Sequence, residues 1–463
     1  MSRPPHPEPY DDVLEAVGWT PLIRLRRVVD GARTPVYGKA EFFNPGGSVK
    51  DRIGAAIIER AEREGELEPG GIVVEGTSGN TGIGLAIAAA VKGYRCVFTI
   101  PDKMSAEKVR LLKAFGAEVI VTPSAVPPDH PDYYGRVAER IAEEREGAVL
   151  ADQFYNPENP AAHERTTGPE IWRQTDGRVT HLVASPGTGG TLTGAARHLK
   201  EKNPDLRVVA GDPAGSIYHH YFETGEVIEG LPYKVEGVGN DKIPSTLDFD
   251  LIDEFRTVGD REAFLMARRI TREEGLFVGG STGLVVKVAA EVAREVDDPD
   301  ACVVCILCDT GERYLSKLYN DEWMEENRML RPDRVTAEYL ASAKRGEPTP
   351  ALVSAAPGEP VREVLSLIEA HNVSQLPVLD DGDNAGAVTE ARLMSAALRD
   401  PDVLERPVGE VADEPFPSVP PDAEIEELNR LLSRDVPAVL VEEDGDYVGI
   451  LTRYDLLHHV MGD

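Results

Sequence analysis

Residues 72–90 read I-V-V-E-G-T-S-G-N-T-G-I-G-L-A-I-A-A-A. An apolar run of strand length ends at Glu75, a glycine-rich turn follows, and an alanine- and isoleucine-rich helix leaves it. A strand apolar on both faces belongs in a parallel sheet covered on both sides. The turn then lies at the carboxyl end of the strand, where such sheets hold their ligands. The same grammar extends outward. Buried-strand candidates at residues 96–100, 119–122, 181–184, 207–211 and 302–307 alternate with helical periods such as residues 105–115 and 133–146. From about residue 35 to about residue 332 this alternation predicts an α/β fold with helices on parallel sheets.

The chain has 463 residues, too many for one ordinary core, so at least two domains are expected. Its 49 Lys and Arg against 81 Asp and Glu leave a formal charge of −32. Phosphate backbones and anionic membranes need clustered Lys and Arg, so neither nucleic acid nor a membrane is an expected partner. The start M-S-R-P-P-H-P-E-P-Y has no apolar stretch behind a basic one, as a secretory signal would. Nor does any run approach the roughly 20 apolar residues of a spanning helix. A cytoplasmic protein is expected. Cys302, Cys305 and Cys308 superficially suggest a metal site, but they fall in the apolar run A-C-V-V-C-I-L-C-D. Residues three apart on a strand face opposite sides, so the three thiols are read as buried core residues and no metal is expected.

Beyond about residue 328 the character changes. Residues 331–346 are polar, bracketed by proline, and read as a linker with a short helix. Two similar units follow. The first contains N-V-S-Q-L-P-V-L-D-D-G (residues 372–382) and the second D-V-P-A-V-L-V-E-E-D-G (residues 435–445), each flanked by helical periods and a second strand. Helix, strand, Asp/Gly turn, strand, helix, twice over, is an internal repeat. The expected division is a catalytic domain over 1–330, the linker over 331–346, and repeats over 347–400 and 401–463.

Three glycine-rich loops carry the chemistry. F-F-N-P-G-G-S-V-K-D-R-I (residues 42–53) places Lys50 after a Gly/Ser turn at a helix start. The helix dipole and nearby Arg52 would favour its neutral amine and hence a Schiff base. E-G-T-S-G-N-T-G (residues 75–82) offers hydroxyls and backbone N–H groups to an anion; alone, it is equally an ordinary capped turn. A-S-P-G-T-G-G-T-L-T-G (residues 184–194) is a second anion cradle, without the spacing of a dinucleotide fingerprint or a P-loop. Two cradles and a Schiff-base lysine describe an amino-acid enzyme that holds its cofactor by a phosphate.

S-V-K-D-R, T-S-G-N-T-G, G-T-G-G-T and G-G-S-T-G (residues 279–283) together resemble the fold type II pyridoxal-phosphate enzymes. The branch is that of cystathionine β-synthase and cysteine synthase, and the resemblance covers about residues 10–330. It implies a tryptophan synthase β-like fold, with Lys50 as the internal aldimine and Asn80 on the ring hydroxyl. Gly187, Thr188, Gly189, Gly190 and Thr191 would bind the phosphate, and Ser281 would meet the pyridine nitrogen. Thr77, Ser78, Thr81 and Gln153 would hold the substrate carboxylate. A neutral partner such as Ser281 leaves the ring a weaker electron sink, which favours prompt β-elimination. Lys50 would then act as general base and acid, an aminoacrylate would form, and a thiol would add to it.

Several stretches, among them residues 102–118, 152–163 and 236–244, resemble cystathionine β-synthases more than cysteine synthases. Condensation of serine, or an activated serine, with homocysteine to cystathionine is the first expectation. Asn240, where the former often carry Tyr, and G-E-R-Y-L-S-K-L (residues 311–318) keep cysteine synthesis from O-acetylserine and sulfide as the alternative. A dehydratase, and a ligand sensor with a decayed catalytic half, are further alternatives. The N-terminus lacks a Cys-Pro-His haem ligand, so no haem is expected, and His6 is read as solvated.

The C-terminal repeat resembles a pair of CBS (Bateman) domains. In that family G-h-h-T-x-x-D binds an adenosyl ribose. The second unit matches it from Gly449 through Thr452 to Asp455, whereas the first has Arg392 in place of the Asp, three residues after Thr389. At most one site, for S-adenosylmethionine or an adenine nucleotide, is expected; a module that only packs subunits is the alternative. Both domain types commonly self-associate, so a homodimer or larger homo-oligomer is expected.

Overall fold

The computed structural model describes residues 9–77, 79–102, 104–127, 130–330, 335–343, 352–380, 382–433, 436–443 and 445–461. His6 lies outside them. The chain divides into two compact units, Met1–Arg331 and Pro332–Asp463.

The strands of the first unit are β1 (Leu22–Leu25), β2 (Val36–Ala40), β3 (Ile72–Gly76), β4 (Arg95–Pro101), β5 (Glu118–Thr122), β6 (Ala148–Leu150), β7 (His181–Ala184), β8 (Arg207–Pro213), β9 (Glu254–Val258) and β10 (Val303–Leu307). Its helices are α1 (Asp51–Glu64), α2 (Asn80–Lys92), α3 (Ala106–Ala114), α4 (Tyr134–Glu144), α5 (Glu158–Arg165), α6 (Thr167–Gln174), α7 (Gly190–Lys202), α8 (Tyr218–Thr224), α9 (Asp260–Arg269), α10 (Gly280–Val296) and α11 (Asp321–Glu326). A four-stranded parallel sheet has the order β5-β4-β3-β6. A six-stranded sheet, β1-β2-β10-β7-β8-β9, is parallel except for its edge pair β1–β2.

Both sheets are covered on two faces, as their β-branched strands require. Alternate residues of β10 enter different cores: Val303, Cys305 and Leu307 pack with Val285 and Val288 of α10, while Val304 and Ile306 pack with Leu192 and Leu199 of α7. Cys302 and Cys305 are thus on opposite sides of the sheet. Cys308 departs from the expected core position. The strand ends at Leu307, and Cys308 beyond it is only half-buried.

One close crossing positions the site. A Cβ on Gly54 of α1 would lie 2.3 Å from the carbonyl carbon of Gly84 in α2, and one on Gly84 would lie 2.5 Å from the carbonyl oxygen of Lys50. Only glycine lets the two backbones meet, and the meeting sets Lys50, just ahead of α1, beside Asn80, the first residue of α2.

The second unit holds α12 (Ala337–Ala343), α13 (Val361–His371), β11 (Gln375–Asp380), β12 (Asp383–Thr389), α14 (Glu390–Arg399), β13 (Ser418–Val419), α15 (Ile425–Leu431), β14 (Ala438–Glu443), β15 (Asp446–Thr452) and α16 (Arg453–Met461). Each repeat is built on an antiparallel hairpin, β11–β12 or β14–β15, with a matching register shift and a positive-φ glycine at the turn, Gly382 or Gly445. Each repeat core also draws in residues from outside its expected bounds. Ala337, Leu340 and Ala341, in the stretch read as linker, are buried in the core of the second repeat with Val439 and Leu451. Val403 is buried and Val408 sits in the core of the first repeat, with Val361 N–H bonded to the Arg406 carbonyl at 3.0 Å. A few apolar residues in a mainly polar segment supply these contacts, so composition alone conceals them.

Candidate active site

The chain reaches Lys50 through a turn at Gly47, whose φ is +74°. The Val49 N–H then bonds the Cys308 carbonyl at 2.9 Å, tying the segment to the end of β10. Lys50 lines a cavity of about 510 Å³ with Asn80, Ser185, Gly187, Thr188, Gly189, Thr191, Glu236, Ser281 and Cys308 among its walls. Residues expected from four separate motifs therefore share one cavity. Gly190 lies directly behind, as the first residue of α7.

Burial pushes the Lys50 ammonium below its ordinary range, against the opposing pull of Cys308, Asp309 and Glu41. Arg52 is not the cause, contrary to the sequence expectation. Its guanidinium is turned into a buried cluster, with Nε 2.7 Å from Glu41 Oε2 and Nη1 2.7 Å from Glu170 Oε1. Lys39 Nζ completes the cluster at 2.6 Å from Glu170 Oε2. Two carboxylates meet two cations there, and the member whose charge acts on Lys50 is Glu41, which opposes the effect of burial.

The third loop is shaped as an anion cradle. Among the described residues, none accepts a hydrogen bond from the backbone N–H groups of residues 187–190, which precede and open α7. Ser185, on the same cavity wall, has a buried hydroxyl without a partner. Unused donors at a helix N-terminus fit a phosphate. The loop is braced from behind by two α5 residues that sequence reasoning missed. Asn159 donates to the Thr188 hydroxyl at 2.9 Å, and His163 Nε2 lies 3.1 Å from the Thr191 hydroxyl. Burial lowers His163 to about 3, so its imidazole is neutral.

Asn80 is also held by residues that no motif reading had singled out as functional. Its Nδ2 donates to Asp309 Oδ2 at 2.7 Å, and its Oδ1 accepts from the Arg313 guanidinium, which also reaches the Gly46 carbonyl. Tyr314 donates to the same Asp309 oxygen at 2.6 Å. Asp309 and Arg313 thereby fix which way the Asn80 amide points. Ser281, in the first turn of α10, shares the cavity wall with the Cys308 thiol, whose Sγ lies 3.7 Å from the Ile306 carbonyl. Burial raises that thiol to about 12, so it is a neutral wall rather than a nucleophile.

Of the residues expected to hold a substrate carboxylate, Thr77, Thr81 and Gln153 are buried at the back of the second loop and do not line the cavity. Thr81 donates to Gln153 Oε1 at 2.5 Å, and the Thr77 hydroxyl accepts from the Gly79 N–H at 3.0 Å. Ser78 lies outside the described residues. Asn240 is on the wall of a second cavity, of about 490 Å³, with Tyr133, Phe154, Tyr155, Asp152 and Lys242.

In the second unit Asp455 Oδ2 accepts from the Thr452 N–H at 2.6 Å and its hydroxyl at 2.8 Å, closing the first turn of α16. At the matching place in the first repeat, Arg392 pairs with Asp413 at 2.7 Å.

Comparison with known proteins gives the family. Residues 13–309 match the family model described as pyridoxal-phosphate dependent enzyme, and residues 346–399 and 408–462 each match a CBS domain. The cystathionine β-synthase of Oryctolagus cuniculus is 39% identical over 98% of this chain and 85% of its own. That of Dictyostelium discoideum is 35% identical over 97% of this chain and 92% of its own. The chain belongs to the cystathionine β-synthase family of pyridoxal-phosphate-dependent enzymes. Among solved structures, an O-acetylserine dependent cystathionine β-synthase from Helicobacter pylori aligns with a TM-score of 0.61 at 35% identity, over 67% of this chain and 98% of its own. A hydrogen sulfide-producing enzyme from Fusobacterium nucleatum aligns with a TM-score of 0.62 at 35% identity, over 66% of this chain and all of its own. Among the described residues of this enzyme, no helix is long and apolar enough to cross a membrane.

Proposed function

We propose that the enzyme joins L-serine, or serine activated at its hydroxyl, to L-homocysteine to form cystathionine. The observation that carries the reading is the cavity that Lys50 shares with the loop of unused N–H groups before α7 and with Ser281. Pyridoxal phosphate, when bound, supplies the electron sink that lets a Cα–H bond break and a β-substituent leave. Residues 187–190 and Ser185 would take its phosphate, Asn80 its ring hydroxyl, and Ser281 its ring nitrogen. Lys50 would carry it covalently.

With substrate in place, the Lys50 amine is a base whose proton affinity burial has already lowered. It takes the Cα proton and returns one to the departing oxygen. Thr77, Ser78, Thr81 and Gln153 would orient the carboxylate once the Thr81 and Gln153 donors, bonded within the protein here, are released to it. The lining of the second cavity supports homocysteine over sulfide: aromatic walls with Lys242 for a carboxylate and Asp152 for an ammonium suit an amino-acid tail, and a bare sulfide calls for none of them.

The alternative is cysteine synthesis from O-acetylserine and sulfide, favoured by Asn240 and by the sequence of residues 311–318. Mass spectrometry decides between them when serine and O-acetylserine are each offered with homocysteine and sulfide together. Cystathionine is expected; cysteine as sole product overturns the proposal. In the C-terminal module we place an adenosyl ligand, S-adenosylmethionine or an adenine nucleotide, at Thr452 and Asp455, with a regulatory role. Arg392, already paired with Asp413, supports a single site. We further propose that the enzyme works in the cytoplasm as a homodimer or larger homo-oligomer.

A further inference from the structure

Gln153 is gripped from two sides. Its Nε2 donates to Glu75 Oε1 at 2.9 Å and more loosely to the Gly76 carbonyl at 3.4 Å, while its Oε1 accepts the Thr81 hydroxyl at 2.5 Å. The Gln153 backbone N–H reaches the other Glu75 oxygen at 3.4 Å. Glu75, Gln153 and Thr81 are 2%, 4% and 2% exposed. In this arrangement every strong donor of Thr81 and the Gln153 side chain is spent inside the protein. A substrate carboxylate, which can only accept, finds none of them free.

The bond pattern is that of an ionised Glu75, yet its surroundings disfavour the charge. Glu75, next to last in β3, stands in a wall of the second cavity, and Asp152, following β6, repels it. From α4 and the residue before it, Tyr133, Tyr134 and Glu139 line the same cavity, and across it stands Lys242, which sits over the Tyr133 ring at 4.5 Å. On the β4 side Glu75 is registered with Phe98, which is apolar. Burial pushes the Glu75 carboxyl up to about 8, with the Gln153 N–H groups holding it down only in part.

We propose that Glu75 is a positioning residue for the substrate carboxylate, which it presents with donors only after taking up a proton. One proton moves from solvent onto a Glu75 oxygen, and no other covalent bond forms or breaks. The new O–H donates to Gln153 Oε1, and the Gln153 amide turns about its last torsion to accept it. Nε2 then faces the Thr81 oxygen and the substrate, and the Thr81 hydroxyl is released to donate outward. An arriving carboxylate drives the same change, because a third negative charge near Glu75 and Asp152 raises the proton affinity of Glu75 further. The inference rests on the reading that Thr81 and Gln153 serve the substrate carboxylate.

The test uses the full-length, cofactor-loaded enzyme, with serine binding followed by the change in cofactor absorbance from about pH 6.5 to about pH 9.5. Unsubstituted enzyme is compared with Glu75→Gln, whose amide donates to Gln153 permanently and cannot titrate. The serine amine titrates alike in both, so the ratio of their affinities isolates Glu75. That ratio is expected to grow in favour of Glu75→Gln above about pH 8, approaching tenfold per pH unit. Calorimetry in two buffers of different ionisation enthalpy should show up to about one more proton taken up by the unsubstituted enzyme. Glu75→Leu, with neither donor nor acceptor, should bind serine weakly at every pH. Parallel profiles for the unsubstituted enzyme and Glu75→Gln, with clear binding, would overturn the role of Glu75 alone. So would Glu75→Leu binding as Glu75→Gln does. No absorbance change with serine in any of the proteins would overturn the carboxylate-site reading, and this inference with it.

Discussion

Asn80 and Asp309, far apart in sequence, are joined by a 2.7 Å hydrogen bond that ties the start of α2 to the end of β10. The smaller sheet supplies one partner and the larger sheet the other, so the amide at the cavity is aimed by the packing of the two sheets. Asp309→Ala leaves that amide and the Tyr314 hydroxyl without their acceptor. Losing a hydrogen bond to a charged group costs about 1.5–3 kcal/mol, so pyridoxal phosphate should bind roughly tenfold to a hundredfold more weakly. Absorbance titration of the apoenzyme checks this.

Gly84→Ala should be more damaging than its chemistry suggests. The added Cβ would lie 2.5 Å from the Lys50 carbonyl oxygen, and backbone cannot step aside as a side chain can. Forcing α1 from α2 costs roughly 1–3 kcal/mol and moves Lys50 away from the cradle. Both the thermal midpoint and cofactor retention on gel filtration should fall.

The Arg52 cluster makes stability depend on acid. Glu41 is held at about 2 in the fold, because the Arg52 charge and hydrogen bonds outweigh its burial, against an ordinary value near 4.3. A group depressed in this way stabilises the fold fully above its unfolded value and loses that contribution as pH falls toward 2. Urea midpoints should therefore decline progressively below about pH 5. Arg52→Met strands the buried Glu41 and leaves Glu170 to Lys39 alone, and should cost about 3–5 kcal/mol at neutral pH. Arg52→Lys should recover only part, since an ammonium cannot reach both carboxylates as the fork does.

For the C-terminal module, S-adenosylmethionine or an adenine nucleotide should raise the thermal midpoint of the unsubstituted enzyme. Asp455→Ala should abolish the shift, and Arg392→Ala should leave it in place. No shift with either ligand would contradict the adenosyl site.

Much of this was legible in the sequence because the signals were local. A strand, a glycine turn and a helix fit within residues 72–90, and each anion loop announces itself by composition. The repeat was legible because its turn residues recur at the same offsets. What escaped was non-local. Asp309 and Arg313 matter through contacts with Asn80 and Gly46, and Asn159 and His163 through contacts with Thr188 and Thr191. Asn159, His163 and Arg313 lie in stretches noted for their resemblance, yet nothing local assigns these residues a role. Arg52 misled for the converse reason: two positions from Lys50 it suggested a pairwise effect, yet one helical turn aims it at Glu41 and Glu170. In the first unit strands β1, β2, β6 and β9 went unanticipated, since β1 and β9 carry exposed polar residues, β2 interrupts its apolar run with Gly38 and Lys39, and β6 is only three residues long.

The central claim is that Lys50 carries the cofactor, and borohydride reduction of the purified enzyme followed by peptide mass spectrometry tests it directly. The account predicts a reduced pyridoxyl group on the peptide containing Lys50, together with loss of the yellow absorbance band in Lys50→Ala. A pyridoxyl group on another lysine, or a band that persists in Lys50→Ala, would contradict it.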